Sequence, residues 1–140
     1  MEPKAESVRG LFTRIAGRYD ALNRALTFGI DVLWRRRALA MLEDSEDVLD
    51  LATGTADLAI GVARRFPAAH VTGVDLTPAM LELGRRKVES AGLTDRVKLA
   101  EGNALSLDFP DEAFDAVTCA FGFRNFPDRG AALRECARVL

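Results

Sequence analysis

At 140 residues, 49% hydrophobic and 29% charged with a net charge of −2, the sequence has the make-up of one ordinary globular domain rather than a disordered chain. No apolar stretch approaches the ~20 residues of a membrane span, and no signal peptide opens the chain. Charge is uneven, with a net of +4 over residues 1–41 and −6 over the rest, so the acidic body is a poor match for nucleic acid.

In chain order, Val8, Leu11, Phe12, Ile15 and Tyr19 recur at helical spacing and predict an amphipathic helix over 5–19. Asp31 is placed to cap a second helix running through VLWRRRALAML. Residues 1–46 are thus expected to form a helical lid and substrate segment over an α/β core that occupies 47–140.

From Asp47 the rhythm changes. VLDLA (48–52) reads as an apolar strand, and Ala56 to Phe66 as a helix stopped by Pro67. HVTGVDL (70–76) is a second strand, after which Thr77-Pro78 starts a helix that runs to Gly92. VKLAEGN (97–103) and FDAVTCAFGF (114–123) are the third and fourth strands. Asp128 opens a last helix whose Leu133, Cys136, Ala137 and Leu140 are expected on one face. Cys119 and Cys136 have no neighbouring His or Cys for a zinc site or a disulfide framework. They read as buried thiols of a cytoplasmic protein, and no metal site is expected.

Strands alternating with helices predict an α/β fold with a parallel sheet, here of order 3-2-1-4, covered on both faces. The ligand crevice then lies at the carboxyl ends of the strands. Asp50, Gly54 and Asp57 surround the first turn, Asp75 ends strand two, Asn103 ends strand three, and Arg124-Asn125 follow strand four. His70 falls at the opposite edge and reads as a surface histidine.

Asp75 sits about twenty residues beyond the glycine turn, where an acid pairs with ribose hydroxyls. A pyrophosphate needs several glycines and no acids beside it. Ala52 and Ala56 stand where further glycines would be, and Asp50 and Asp57 would repel phosphate. An adenosine ligand that also carries a cation would be attracted, and S-adenosylmethionine has that pattern. Asp57 also has a plainer role as a first-turn acid favoured by the helix dipole, and Asp50 as a turn former.

YDALNRALTFGIDVLW, VLDLATGTADLA, GVDLTPAMLELGRRK, EGNALSLDFPDEAFDAVT and FGFRNFPDR together closely resemble the C-methyltransferase family of menaquinone and ubiquinone biosynthesis, from about Val8 to Leu140. The resemblance implies a Rossmann-like class I methyltransferase fold and cofactor contacts from Thr55, Asp75, Asn103 and Ala104. Asp75 would hold the ribose and Asn103 the adenine edge. Three positions depart from the family pattern. Ala56 replaces a glycine, acceptable if its φ is negative at the helix start. Ala120 replaces a serine that would help hold the cofactor, and Asp31 stands where a histidine is common.

By this likeness the enzyme moves a methyl from S-adenosylmethionine to a ring carbon of a demethylated polyprenyl quinol. Arg124 is the candidate cation for the quinol anion, with Asn125 orienting the ring oxygen. No residue stands out as a general base. A non-catalytic adenosylmethionine-binding module and an NAD-dependent oxidoreductase are the alternatives, the latter disfavoured by the missing glycines. Basic N-terminal helices suit contact with anionic membrane surfaces, where polyprenyl quinols reside. The family pattern continues past Leu140 into further strands, so the sequence reads as a fragment with an exposed strand four. The isolated chain is therefore expected to be catalytically inactive, and either aggregation-prone or dependent on a partner chain to cover that edge, with a homodimer as one such assembly.

Overall fold

The computed structural model describes residues 30–42, 45–120 and 122–140. Four strands, β1 (Asp47–Leu51), β2 (His70–Asp75), β3 (Val97–Glu101) and β4 (Ala116–Thr118), form one sheet in the order β3-β2-β1-β4. Every pairing is parallel, with Val48 beside Val71 and Ala116, and Val71 beside Val97. The expected order is therefore found. Helix α1 spans Ile30–Ala40, α2 Asp57–Arg65, α3 Pro78–Ser90 and α4 Arg129–Val139.

The strand alternation divides the core into two layers. Val48, Val71 and Val97 point to one face, where Leu58, Val62 and Ala63 of α2, Val88 of α3 and Leu42 after α1 cover them. Leu49, Leu51 and Val74 point to the other, against Ala104, Leu107 and Val139 of α4. Burial of these side chains, at ~1.5–3 kcal/mol each, drives the layering. Helix α3 approaches closely because Gly84 has no side chain: a Cβ there would lie 2.8 Å from Leu99 Cδ1 and 3.2 Å from the Thr55 carbonyl carbon.

Helix starts follow local chemistry. Pro78 occupies the first turn of α3, where a missing N–H is harmless, and Gly92 beyond its end has φ +69. Asp128 caps α4, its Oδ1 accepting the Ala131 N–H at 2.9 Å.

Four sequence expectations change. Asp31 lies inside α1 instead of capping it, because the helix already includes Ile30. Strand four is three residues long, since the chain turns at Gly122 into a 3-10 helix over Phe123–Asn125. Helix α4 buries Ala132 and Val139, while Leu133 and Leu140 are 57% and 50% exposed and Ala137 faces solvent. The two cysteines are half-buried rather than buried. The predicted helix over 5–19 lies outside the described residues. Helix α1 has its Leu39 packed on α2, 3.4 Å from where a Cβ on Gly61 would stand.

Candidate active site at the carboxyl edge of the sheet

The turn after β1 is left-handed at three alternating positions, Ala52 (φ 51), Gly54 (φ 58) and Ala56 (φ 70). Ala56 was acceptable only with negative φ, so that expectation is overturned. An alanine in this region costs roughly 1–2 kcal/mol, and the surroundings must hold it there. The Ala56 methyl is fully buried, in the gap that Gly84 leaves in α3. The Thr53 N–H donates to Val74 O at 3.0 Å, and the Ala56 N–H to Thr53 O at 2.9 Å. The backbone path of a glycine-rich loop is thus built partly from alanine. Missing glycines therefore exclude a dinucleotide less than the acids beside the turn do.

Asp50 is 1% exposed and lies under the turn. Its Oδ2 accepts the Thr53 hydroxyl at 2.7 Å and its Oδ1 the Thr118 hydroxyl at 2.6 Å. The carboxylate therefore joins β1, its turn and β4, a role the sequence did not reveal for either threonine. Asp75, at the end of β2, accepts the Gly54 N–H on Oδ2 and the Thr77 N–H on Oδ1, both at 2.9 Å. Burial pushes the Asp75 carboxyl above the ordinary aspartate range, and the N–H groups of Gly54 and Thr77 pull it back.

Asn103 follows β3, and its Oδ1 accepts the Leu105 N–H at 3.0 Å. That bond leaves the amide N–H₂ as the free end of the side chain. Ala104 beside it is buried, 6% exposed. Arg124 is exposed on the 3-10 helix after β4, and Asn125 is half-buried. This helix sits against the β1 turn, because a Cβ on Gly122 would overlap that of Ala52. Asp50, Gly54, Thr55, Asp75, Asn103, Ala104, Arg124 and Asn125 all fall at or just beyond the carboxyl edge. His70 begins β2 at the other edge and is exposed.

Asp57 does not face the crevice as an unmatched charge. Lys87 of α3 donates to Asp57 Oδ1 at 2.7 Å and to Thr55 Oγ1 at 2.9 Å. The Thr55 side chain is correspondingly buried and turned toward α3. Lys87 stands one turn after Gly84, the point where α3 meets the turn, and that spacing is the one sequence signal for it. The Cys119 thiol is pushed up to about 12 by burial and by the charges of Asp50 and Cys136, so it is not a nucleophile. Among the described residues no group of His, Cys, Asp and Glu could hold a metal ion.

The residues present fit a cationic adenosine ligand. They offer a buried carboxylate at Asp50, a half-buried one at Asp75 and an amide at Asn103, in the order of strands β1, β2 and β3.

Comparison with known proteins gives the same answer. The profile of the ubiE/COQ5 methyltransferase family matches residues 1–140. A demethylmenaquinone methyltransferase of Thermus thermophilus is 55% identical over 132 residues, 93% of this chain and 59% of that protein. A ubiquinone/menaquinone biosynthesis C-methyltransferase UbiE of Geobacter sulfurreducens is 45% identical over 140 residues, 98% of this chain and 55% of its own length. The chain thus spans little more than half the length of these relatives. The crystal structure of a SAM-dependent methyltransferase of Thermotoga maritima superposes with a TM-score of 0.73 at 21% identity, covering 94% of this chain and 56% of that one. At that identity it shows the fold alone, which is the Rossmann-like class I methyltransferase fold. Family and fold together support S-adenosylmethionine as the cofactor.

Proposed function

Because the chain belongs to the ubiE/COQ5 methyltransferase family, we propose that it binds S-adenosylmethionine along the carboxyl edge and directs its methyl group to a ring carbon of a demethylated quinol. The observation that carries this is the Asp75 carboxylate, held at the end of β2 and bonded to Gly54 of the turn. Relatives named demethylmenaquinone methyltransferase favour a menaquinone precursor as the acceptor.

S-adenosylmethionine supplies an electrophilic methyl on a positively charged sulfur. Neighbouring strands are ~4.8 Å apart, so β3 and β1 are about 10 Å apart, a span that suits an extended nucleoside carrying an amino acid. Asn103 offers its amide N–H₂, and Ala104 its backbone, to the adenine edge. Asp75 has carboxylate lone pairs left to accept the ribose hydroxyls. The Gly54 and Thr55 backbone lines the amino-acid end, and buried Asp50 supplies negative potential beneath it. Thr55 acts through its backbone, since its hydroxyl is engaged by Lys87.

A quinol hydroxyl titrates near 10, as a phenol does. The exposed Arg124 guanidinium stabilises its anion and so makes the ring carbon nucleophilic, while Asn125 orients the ring oxygen. Arg36 and Arg37, exposed on α1, favour contact with an anionic lipid surface, where each basic residue contributes about 1 kcal/mol. A homodimer is the proposed assembly.

Calorimetric titration with S-adenosylmethionine and with NADH, followed by methyl transfer to a demethylmenaquinol, tests the proposal. Adenosylmethionine should bind while NADH gives no heat. Heat from NADH alone would instead support the oxidoreductase alternative, and adenosylmethionine binding without transfer would leave a binding module.

A further inference from the structure

Lys87 lies in the last turn of α3, on a different element from the residues it holds. Its ammonium donates to Thr55 Oγ1 at 2.9 Å and to Asp57 Oδ1 at 2.7 Å. The Lys87 and Asp57 side chains are 31% and 22% exposed, so the pair is partly shielded from water and its field is only partly screened. Thr55 follows Gly54 directly, and the Gly54 N–H is tied to Asp75. A matched positive and negative charge therefore stand beside the turn that faces the cofactor.

We infer that Lys87 is a specificity-determining residue: by neutralising Asp57 it sets how strongly the turn prefers S-adenosylmethionine over the demethylated product, S-adenosylhomocysteine. The inference rests on the adenosylmethionine site proposed above. The two molecules share adenine, ribose and amino acid, so Asp75 and Asn103 serve both alike. They differ at the sulfur. When the methyl passes to the acceptor carbon, the S–CH₃ electron pair stays on sulfur, a cationic sulfonium becomes a neutral thioether, and the proton displaced from the acceptor carbon is released to water. Only local charge and one methyl group distinguish donor from product.

An unmatched Asp57 would deepen binding of the sulfonium without helping the transition state, in which that charge is already fading. Lys87 removes this excess pull. The preference for donor over product then comes from the buried Asp50 carboxylate, and the bound donor is not over-stabilised.

The test is the ratio of dissociation constants for S-adenosylhomocysteine and S-adenosylmethionine, measured by calorimetry on the whole chain. Lys87→Gln keeps a hydrogen-bonding side chain and removes the charge. It should raise the ratio about two- to sixteenfold, the effect of a unit charge ~10 Å away at an effective dielectric between 80 and 20. Asp57→Asn should lower the ratio by a similar factor. The double variant Asp57→Asn with Lys87→Gln, again neutral, should return it to the wild-type value. Salt near 1 M should shrink both single-variant shifts. A clamp that merely holds the turn would change both affinities by one factor in every variant, and a fixed ratio overturns the inference. Should either single variant fail to fold, the salt dependence of the ratio in the other carries the decision. Failure of the wild-type chain to bind either molecule refutes the proposed function itself, and this inference with it.

Discussion

The methyl group of Ala52 fills the space that a side chain at residue 122 would need. Gly122 lets the loop carrying Arg124 lie directly on the β1 turn, although Ala52 itself is held in a left-handed conformation. Gly122→Ala should destabilise the protein by ~1–3 kcal/mol through overpacking. Ala52→Gly should stabilise it by ~0.5–1 kcal/mol, since glycine accepts positive φ without strain. In the double variant most of the Gly122→Ala loss should disappear. Urea denaturation of the four proteins gives the coupling energy, and simple additivity would mean that the two residues do not meet.

Asp75→Ala should weaken adenosylmethionine binding by ~1–3 kcal/mol, the scale of a lost charge-assisted hydrogen-bond pair. Unchanged calorimetric affinity would remove Asp75 from the site. The carboxyl also leaves a mark on stability. Burial raises its pKa above 3.8, so on acidification the folded chain takes up this proton before the unfolded chain does. Its contribution therefore grows as pH falls through the raised value and levels off below 3.8. Asp75→Asn should abolish that rise in a series of urea melts.

Glu135 should act in the opposite sense. The Arg138 guanidinium donates to Glu135 Oε1 at 2.8 Å and Oε2 at 3.0 Å, and the Leu107 N–H donates to Oε2 at 2.7 Å. These bonds hold the Glu135 carboxyl below its ordinary value of 4.5. Its stabilisation is fully present above that value and is lost as pH falls through the lowered one. Glu135→Gln should therefore lower stability at neutral pH and flatten the acid limb of the pH profile. An acid limb identical to wild type would place the titration elsewhere.

In a full-length protein carrying this sequence, Arg124→Ala should lower kcat for methyl transfer while leaving the dissociation constant of adenosylmethionine nearly unchanged, because the role proposed for its charge begins when the quinol anion forms. Arg124→Lys should recover part of the rate and shift the pH profile, since the ammonium is a less directional donor. Loss of cofactor affinity with kcat retained would make Arg124 a cofactor ligand.

The sheet order was legible because each strand is an apolar run bounded by turn residues, and short connections leave few topologies. The places of Asp75 and Asn103 at strand ends, and the Asp128 cap, were legible because apolar runs and helix-start residues mark where elements begin and end. The Ala52 and Ala56 conformations were not, since alanine carries no sign of positive φ and tertiary packing imposes it. Lys87 was hidden for another reason: it lies 32 residues from Thr55, and a helical lysine usually faces water. The outward face of α4 was misjudged because Leu133 and Leu140 share a helical stripe, while Ala132 and Val139 are the side chains that reach the sheet.

Strand β4 is fastened at both ends by carboxylates. At its entry, Asp115 accepts the N–H groups of Glu46 and Asp47 at 3.1 and 2.9 Å and donates its own N–H to Asp47 O at 2.8 Å. At its exit, Thr118 is bonded to Asp50, which also holds Thr53. A strand of only three residues would ordinarily fray, exchanging its amide hydrogens with solvent through frequent small openings. Here the exit bond ends on the same carboxylate that braces the β1 turn. Fraying of β4 from that end and loosening of the β1 turn become one event, so amide deuteration of 116–118 should slow when S-adenosylmethionine binds at the proposed site.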